Sequence, residues 1–236
     1  MRLARRGRGS STGAGAGAGA AAYRSARLPR GRAPWRSASY CAVDLELSGL
    51  DPRRHEIISF GAVPIEDGRV QLAGAVEGLV RPERPMGEEA IRVHGLRAAD
   101  LAQAPALDVA IDPLLAVMAG RIPVVHVAAV ERAFLAPALR RQGARLHRPM
   151  IDTSVLGRVW LQERDGTDRR GVSLGALAGA LGLPADRAHE ALGDALTTAQ
   201  VFLALASHLD TLRHQTVRSL TTADRWLQTL LRYPPR

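Results

Sequence analysis

Tyr40-Cys-Ala-Val-Asp-Leu-Glu-Leu47, then Ser48-Gly-Leu-Asp-Pro52, then Glu56-Ile-Ile-Ser-Phe-Gly-Ala-Val-Pro-Ile65 is the stretch that decides the fold. The first piece alternates and is rich in strand formers, the second breaks it with turn residues, and the third reads as another strand. Glu66-Asp-Gly68 predicts a hairpin turn and residues 69–80 a third strand, which together make an antiparallel meander.

Downstream the hydrophobic period changes. Residues 107–118 predict a helix and residues 122–127 a buried strand. Residues 131–142 predict a helix with Phe134, Leu135, Ala138 and Leu139 on one face, closed by Gly143. Residues 149–153 form a short strand followed by a helix through Trp160, a polar loop at 162–171, and helices at 173–181 and 188–209. Residues 211–236 predict one or two more helices, with Thr221 and Asp224 as an N-terminal cap before residues 225–231. A run of strands followed by alternation implies an α/β class with a mixed sheet, three meander strands plus two more, flanked by helices.

Upstream the composition shifts. The chain has 236 residues and a formal net charge of +9, and its 32 basic residues are all arginine. Nine arginines and no acid lie in residues 1–36, so the other 23 arginines and the 23 acids cancel. The high pI therefore does not describe the folded part. Residues 1–36 include a glycine–alanine tract at 13–22 and few large apolar side chains, which predicts a disordered basic tail. Organelle transit peptides share this composition, but a solvated tail or sequence upstream of the true start fits it better. Residues 37–206 form the expected main domain and residues 207–236 a helical extension. No stretch approaches the roughly 18 apolar residues of a membrane span, and the lone Cys41 fits a reducing, cytoplasmic setting.

Two acids mark the first strand. Asp44 and Glu46 stand two apart, so their carboxylates project from one face. A solvated edge strand would explain them, but the flanking Ala42, Val43, Leu45 and Leu47 argue for burial, where unpaired carboxylates are costly. His189 and Asp194 are five apart, about 140° of helix rotation, so they meet only if His189 precedes the helix that carries Asp194. Glu131 near a helix start suits the helix dipole, and Asp152 before Thr153 reads as a cap rather than a metal ligand.

These motifs resemble a known family. Val43-Asp-Leu-Glu-Leu-Ser-Gly-Leu-Asp-Pro52 with residues 57–63 resembles the first motif of the histidine-type DEDD (DEDDh) 3′–5′ exonucleases. The likeness is nearest to the epsilon-type proofreading subunits of bacterial DNA polymerase III. Val93-His-Gly-Leu96 resembles that family's structural turn, residues 124–135 its second motif, Met150-Ile-Asp-Thr153 its following strand, and residues 173–195 its third motif. The match runs in order over residues 40–206. The second motif departs from the family's H-N-A-x-F-D: here it reads His126-Val-Ala-Ala-Val-Glu131, with glutamate for the third aspartate. Glutamate keeps the charge and adds a methylene, which puts rate and metal preference in question.

The resemblance implies an RNase H-like fold and two divalent cations, Mg²⁺ or Mn²⁺, held by Asp44, Glu46, Glu131 and Asp194, with His189 as general base. It implies release of nucleoside 5′-monophosphates from single-stranded DNA 3′ ends. RNA or short oligonucleotides are the alternative substrate, because such a site grips phosphates rather than bases. A catalytically impaired binding module, marked by Glu131, is the reading from a different class. Phe60, Phe134 and Phe202 lie in apolar patterns, which leaves strand grip to arginines such as Arg164, Arg169 and Arg170. No polymerase domain fits this length, so proofreading would require a polymerase subunit in trans.

Overall fold

The computed structural model describes residues 17–147, 149–184 and 189–232. Its centre is a mixed sheet. β1 (Tyr40–Leu47) pairs antiparallel with β2 (Ile57–Glu66), whose outer edge takes β3 (Arg69–Val70) and β4 (Val76–Leu79). On the other side β5 (Ile122–Val125) lies parallel to β1, and β6 (Ile151–Asp152) parallel to β5. The hairpin between β2 and β3 turns through Asp67 and Gly68, both left-handed, as a tight two-residue turn requires.

The expected third strand is broken in two. Pro64 of β2 has no N–H, and its carbonyl accepts from Gln71 on the outer side, so the missing donor faces that same edge. The chain leaves the sheet there as a 3₁₀ turn, Leu72–Gly74, before β4. The expected helix at 107–118 is likewise split, into α4 (Leu107–Ala110) and α5 (Asp112–Met118). Pro113 cannot donate to the residue four back, so it begins a helix rather than continuing one. Two short helices between β4 and α4, α2 (Glu88–His94) and α3 (Ala98–Leu101), had no counterpart in the periodicity.

Helices cover both faces. On one, α7 (Thr153–Asp165), α8 (Leu174–Ala180) and the long α9 (Ala191–Leu212) pack over Tyr40, Ala42, Val63 and Ile65. On the other, α5 and α6 (Ala128–Arg141) pack over Cys41, Val43 and Leu45. α7 runs into the stretch expected to be loop and stops at the left-handed Gly166. α10 (Val217–Thr221) and α11 (Ala223–Arg232) finish the first layer, with Val217, Leu220, Leu227 and Leu230 buried. The expected Thr221 cap is absent: Thr221 and Thr222 donate back to the Arg218 carbonyl, closing α10, and the capping box is Thr216 with Ser219.

Disorder through residue 36 is also corrected, for residues 17–36; residues 1–16 lie outside the described part. α1 (Ala18–Ser25) is a helix whose first N–H groups, of Gly19 and Ala20, donate to the Asp112 carboxylate at 3.0 and 2.9 Å. A Cβ on Gly19 would lie 2.0 Å from the Asp112 carbonyl, so the glycine–alanine tract is what lets two helix backbones touch. Tyr23 and Trp35 are buried, and the Tyr23 hydroxyl accepts from the His147 N–H. The composition lacks aliphatic bulk, but close backbone packing and two aromatics supply the burial instead.

Candidate active site

Asp44 and Glu46 continue the face of β1 that carries Tyr40 and Ala42, the face under α9. Leu45 and Leu47 point the other way and are buried. The site forms where α9 begins, against the carboxyl end of β1. Gly61, the partner of Asp44 on β2, makes this possible: a Cβ there would lie 2.3 Å from the Ala191 carbonyl oxygen. Only a bare backbone lets the first turn of α9 sit on the sheet at that point.

α9 starts at Ala191, three residues later than the sequence suggested; residue 188 lies outside the described part. His189 is therefore ahead of the helix, as the five-residue spacing requires. It is held left-handed (φ 69°), and its backbone N–H donates to Asp194 Oδ2 at 2.8 Å. Glu46, His189 and Asp194 each offer a ligand atom, all within 4.8 Å of one another. Glu46 is buried (8 % exposed), Asp194 half-buried and His189 exposed at the rim.

Asp44 and Glu131 join this group electrostatically. Burial first, then the charges of Asp194 and Glu46, push the Asp44 carboxyl well above its ordinary range. Burial and Asp194 raise Glu46 to about 7. Burial, then Asp44 and Glu46, raise Glu131 well above the usual glutamate value. Glu131 is 5 % exposed, and its Oε2 has no hydrogen-bond partner among the described residues. Four carboxyls repelling one another in a partly dry pocket, one with an orphaned oxygen, are a donor set that suits hard divalent cations. The donors present thus fit such ions.

Glu131 owes its position to a half-buried anchor, Asp152. α6 starts at Ala128, earlier than expected, because Val127 turns left-handed (φ 65°) and Asp152 accepts from the Val127 and Ala128 N–H groups at 3.2 and 2.8 Å. The same carboxylate accepts from the N–H of Ser154 at 2.9 Å, so one side chain starts both α6 and α7, the capping role its position suggested. His126 is fixed next to it, with Nδ1 2.9 Å from Thr153 Oγ1 and Nε2 3.1 Å from the Val172 carbonyl. Burial lowers the His126 pKa, which favours a neutral ring.

The sequence marks His94 only as part of a turn, and nothing local signals its proximity to the acids. It ends α2, where the left-handed Gly95 stops the helix, and its Nδ1 accepts from the Leu96 N–H. Burial and then the charge of His189 lower its pKa, and its buried Nε2 lacks a partner among the described residues. Beside it a cleft of about 490 Å³ is lined by Leu45, Glu46, Leu47, Val93 and Val130, among others. The loop arginines disappoint as strand grips. Arg164 is paired with Asp165 and stacked on Trp160, and Arg170 lies 3.7 Å from Asp168, which Arg158 also holds.

A central mixed sheet flanked by helices in this order is the fold of RNase H-like exonucleases. The exonuclease family model (RNase_T) matches residues 41–202, and the chain belongs to that family. It is 33 % identical over 168 residues to a DNA polymerase III of the PolC type from Thermotoga petrophila, covering 71 % of this chain and 12 % of that protein. It is 33 % identical over 193 residues to a DNA polymerase III subunit epsilon-like protein from Rhodobacter capsulatus, covering 80 % and 26 %. The chain thus spans about a quarter or less of the length of these relatives. Exonuclease X in complex with 5′ overhanging duplex DNA superposes with a TM-score of 0.60 at 21 % identity, over 78 % of this chain and 98 % of that one. No described helix is long and apolar enough to cross a membrane.

Proposed function

We propose that the chain is a metal-dependent 3′–5′ exonuclease that removes nucleoside 5′-monophosphates from single-stranded DNA ends, in proofreading or repair. The observation that carries this reading is the convergence of Glu46, His189 and Asp194 within 4.8 Å beside the half-buried Asp44 and the buried Glu131. Asp44, Glu46, Glu131 and Asp194 would hold two divalent ions, Mg²⁺ or Mn²⁺. Such ions supply Lewis acidity toward the phosphate and the leaving oxygen.

The chain's own residues do the rest. Asp194 fixes the His189 backbone, so the imidazole stands at the exposed lip of the acid cluster. There it takes one proton as a water oxygen bonds to phosphorus and the P–O3′ bond breaks; the departing O3′ gains a proton from solvent, and the released nucleotide keeps the 5′-phosphate. The cleft beside His94 offers apolar walls for the terminal base. Glu131 stands close enough to feel the charges of both Asp44 and Glu46, so it belongs to the same acid cluster. A role beside a DNA polymerase III accords with the polymerase III names of the relatives.

The test is a panel of single-stranded DNA, 3′-recessed duplex and RNA, each labelled at the 5′ end, with Mn²⁺ or Mg²⁺. Stepwise shortening of DNA that disappears in Asp44→Asn is expected. No metal-dependent shortening of any substrate would overturn the enzyme reading, and faster shortening of RNA would overturn the substrate.

A further inference from the structure

The family match ends inside α9, yet the structure continues through α10 and α11 and begins before the match with α1. These flanking segments meet. The N–H groups of Trp35, Val217 and Arg218 donate to the carbonyls of Gln215, Ala33 and Gly31 at 3.3, 3.1 and 2.8 Å. Next to this seam lies a cleft of about 390 Å³, lined by Arg213, Arg218, Arg225, Trp226, Thr222 and Thr229 among others, with no acid in its lining.

The three arginines are exposed, and none has a carboxylate within 4.0 Å among the described residues. Several arginines elsewhere are instead paired: Arg121 with Glu66, Arg141 with Asp108, Arg158 with Asp168. Arg213 lies 4.5 Å over the half-buried Trp226 ring. The adjoining segment, held here through the Gly31 and Ala33 carbonyls, adds exposed Arg30 and Arg32, which have no carboxylate within 4.0 Å among the described residues. Guanidinium groups, hydroxyls and an indole in one acid-free cleft match phosphates and a base. A protein partner would need apolar anchors, and Trp226 is the one large apolar side chain in the lining.

We propose that this cleft is a second nucleic-acid site, which grips the phosphates of a single strand upstream of the end being cut. It rests on the exonuclease reading for the identity of the strand. Asp194 opens α9 and Arg213 caps its far end, so the two sites are separated by about 28 Å of helix at 1.5 Å per residue. At roughly 3.4 Å per stacked nucleotide, about eight nucleotides are needed to reach both. A tetranucleotide occupies only one site, whereas a 20-mer spans both.

The experiment uses the full chain and 5′-fluorescein-labelled DNA strands of 4 and 20 nucleotides. Anisotropy in EDTA reads binding without cleavage, and Mn²⁺ then reads kcat/KM for each length. The 20-mer should bind at least tenfold tighter than the tetranucleotide. In Arg213→Ala/Arg218→Ala/Arg225→Ala that preference should collapse, with a log–log salt slope shallower by about two, since each single-strand phosphate contact contributes about 0.7. Arg218→Ala/Arg225→Ala keeps the Trp226 stack intact and should lose most of the same preference, which separates lost contacts from lost folding. Equal affinity for the two lengths, or an unchanged length preference in both variants, overturns the second site, as does binding of polyglutamate in place of DNA. Cleavage of the tetranucleotide is read independently: its absence counts against the exonuclease reading, not against the cleft.

Discussion

Where β1 ends, Asp44, Glu46, Glu131 and Asp194 are drawn together at least partly out of water; where it begins, Tyr40 donates to the Trp35 carbonyl and the surrounding arginines stand in solvent. Both regions concentrate one sign of charge, but with different consequences. Exposed arginines are screened within about 10 Å at 0.1 M salt and cost little. Buried carboxylates repel at short range and shift toward their neutral forms. The acidic end is thus a site whose ionised form needs counter-ions, whereas the basic end is stable while it waits.

The largest test of this contrast removes the acidic end's chemistry. His189→Ala should lower kcat by about 10²–10⁴, the range for loss of a general base, and Asp44→Asn should lower it further still. Both are read by single-turnover cleavage of a DNA 20-mer. Retained activity in both variants would place the reaction elsewhere.

Next is pH. A carboxyl whose pKa is raised on folding adds stability that is complete below the unfolded value and is lost as pH rises through the folded one. For Glu46 that window runs from 4.5 to about 7, a change of about 3 kcal/mol. Metal-free protein should therefore melt lower at pH 8 than at pH 5, and millimolar Mn²⁺ should restore the melting temperature at pH 8. Asp44→Asn should raise the metal-free melting temperature at pH 8 and blunt the metal response. A flat profile in thermal melts would show that the acids are already relieved by solvent.

Gly61→Ala tests whether position alone matters. Its new Cβ must displace the Ala191 backbone, and a displacement of about 1 Å costs on the order of 10² in rate. Activity should fall that far with every acid intact. The smallest effect belongs to the basic end: Asp112→Ala removes the cap of α1 and should cost about 1 kcal/mol in urea unfolding, with kcat on a tetranucleotide unchanged.

Much of the acidic end could be read from the sequence because its cues are local. The two-residue period of Asp44 and Glu46 fixes a shared face, the five-residue gap puts His189 outside its helix, and Asp152 stands where a cap belongs. What escaped depends on distant partners. Gly61 reads as an ordinary strand glycine until Ala191 is laid across it. His94 reaches the site only because α2 folds over the end of β1. The glycine–alanine tract looks disordered because its packing partner, Asp112, is 93 residues away. Pro64 and Pro113 were legible in principle, since each removes a donor where an element breaks.

The seam between the two flanking segments has a consequence for how the molecule forms. Arg36 donates to Ser207 across 171 residues of chain, and the backbone pairs around Pro34 and Thr216 close nearly the whole domain into a loop. Contacts of such long range incur their closure entropy before they return any stability, so they belong to the last stage of folding. On that account the clasp is expected to fasten after the sheet has formed, which leaves the basic end in two pieces until then.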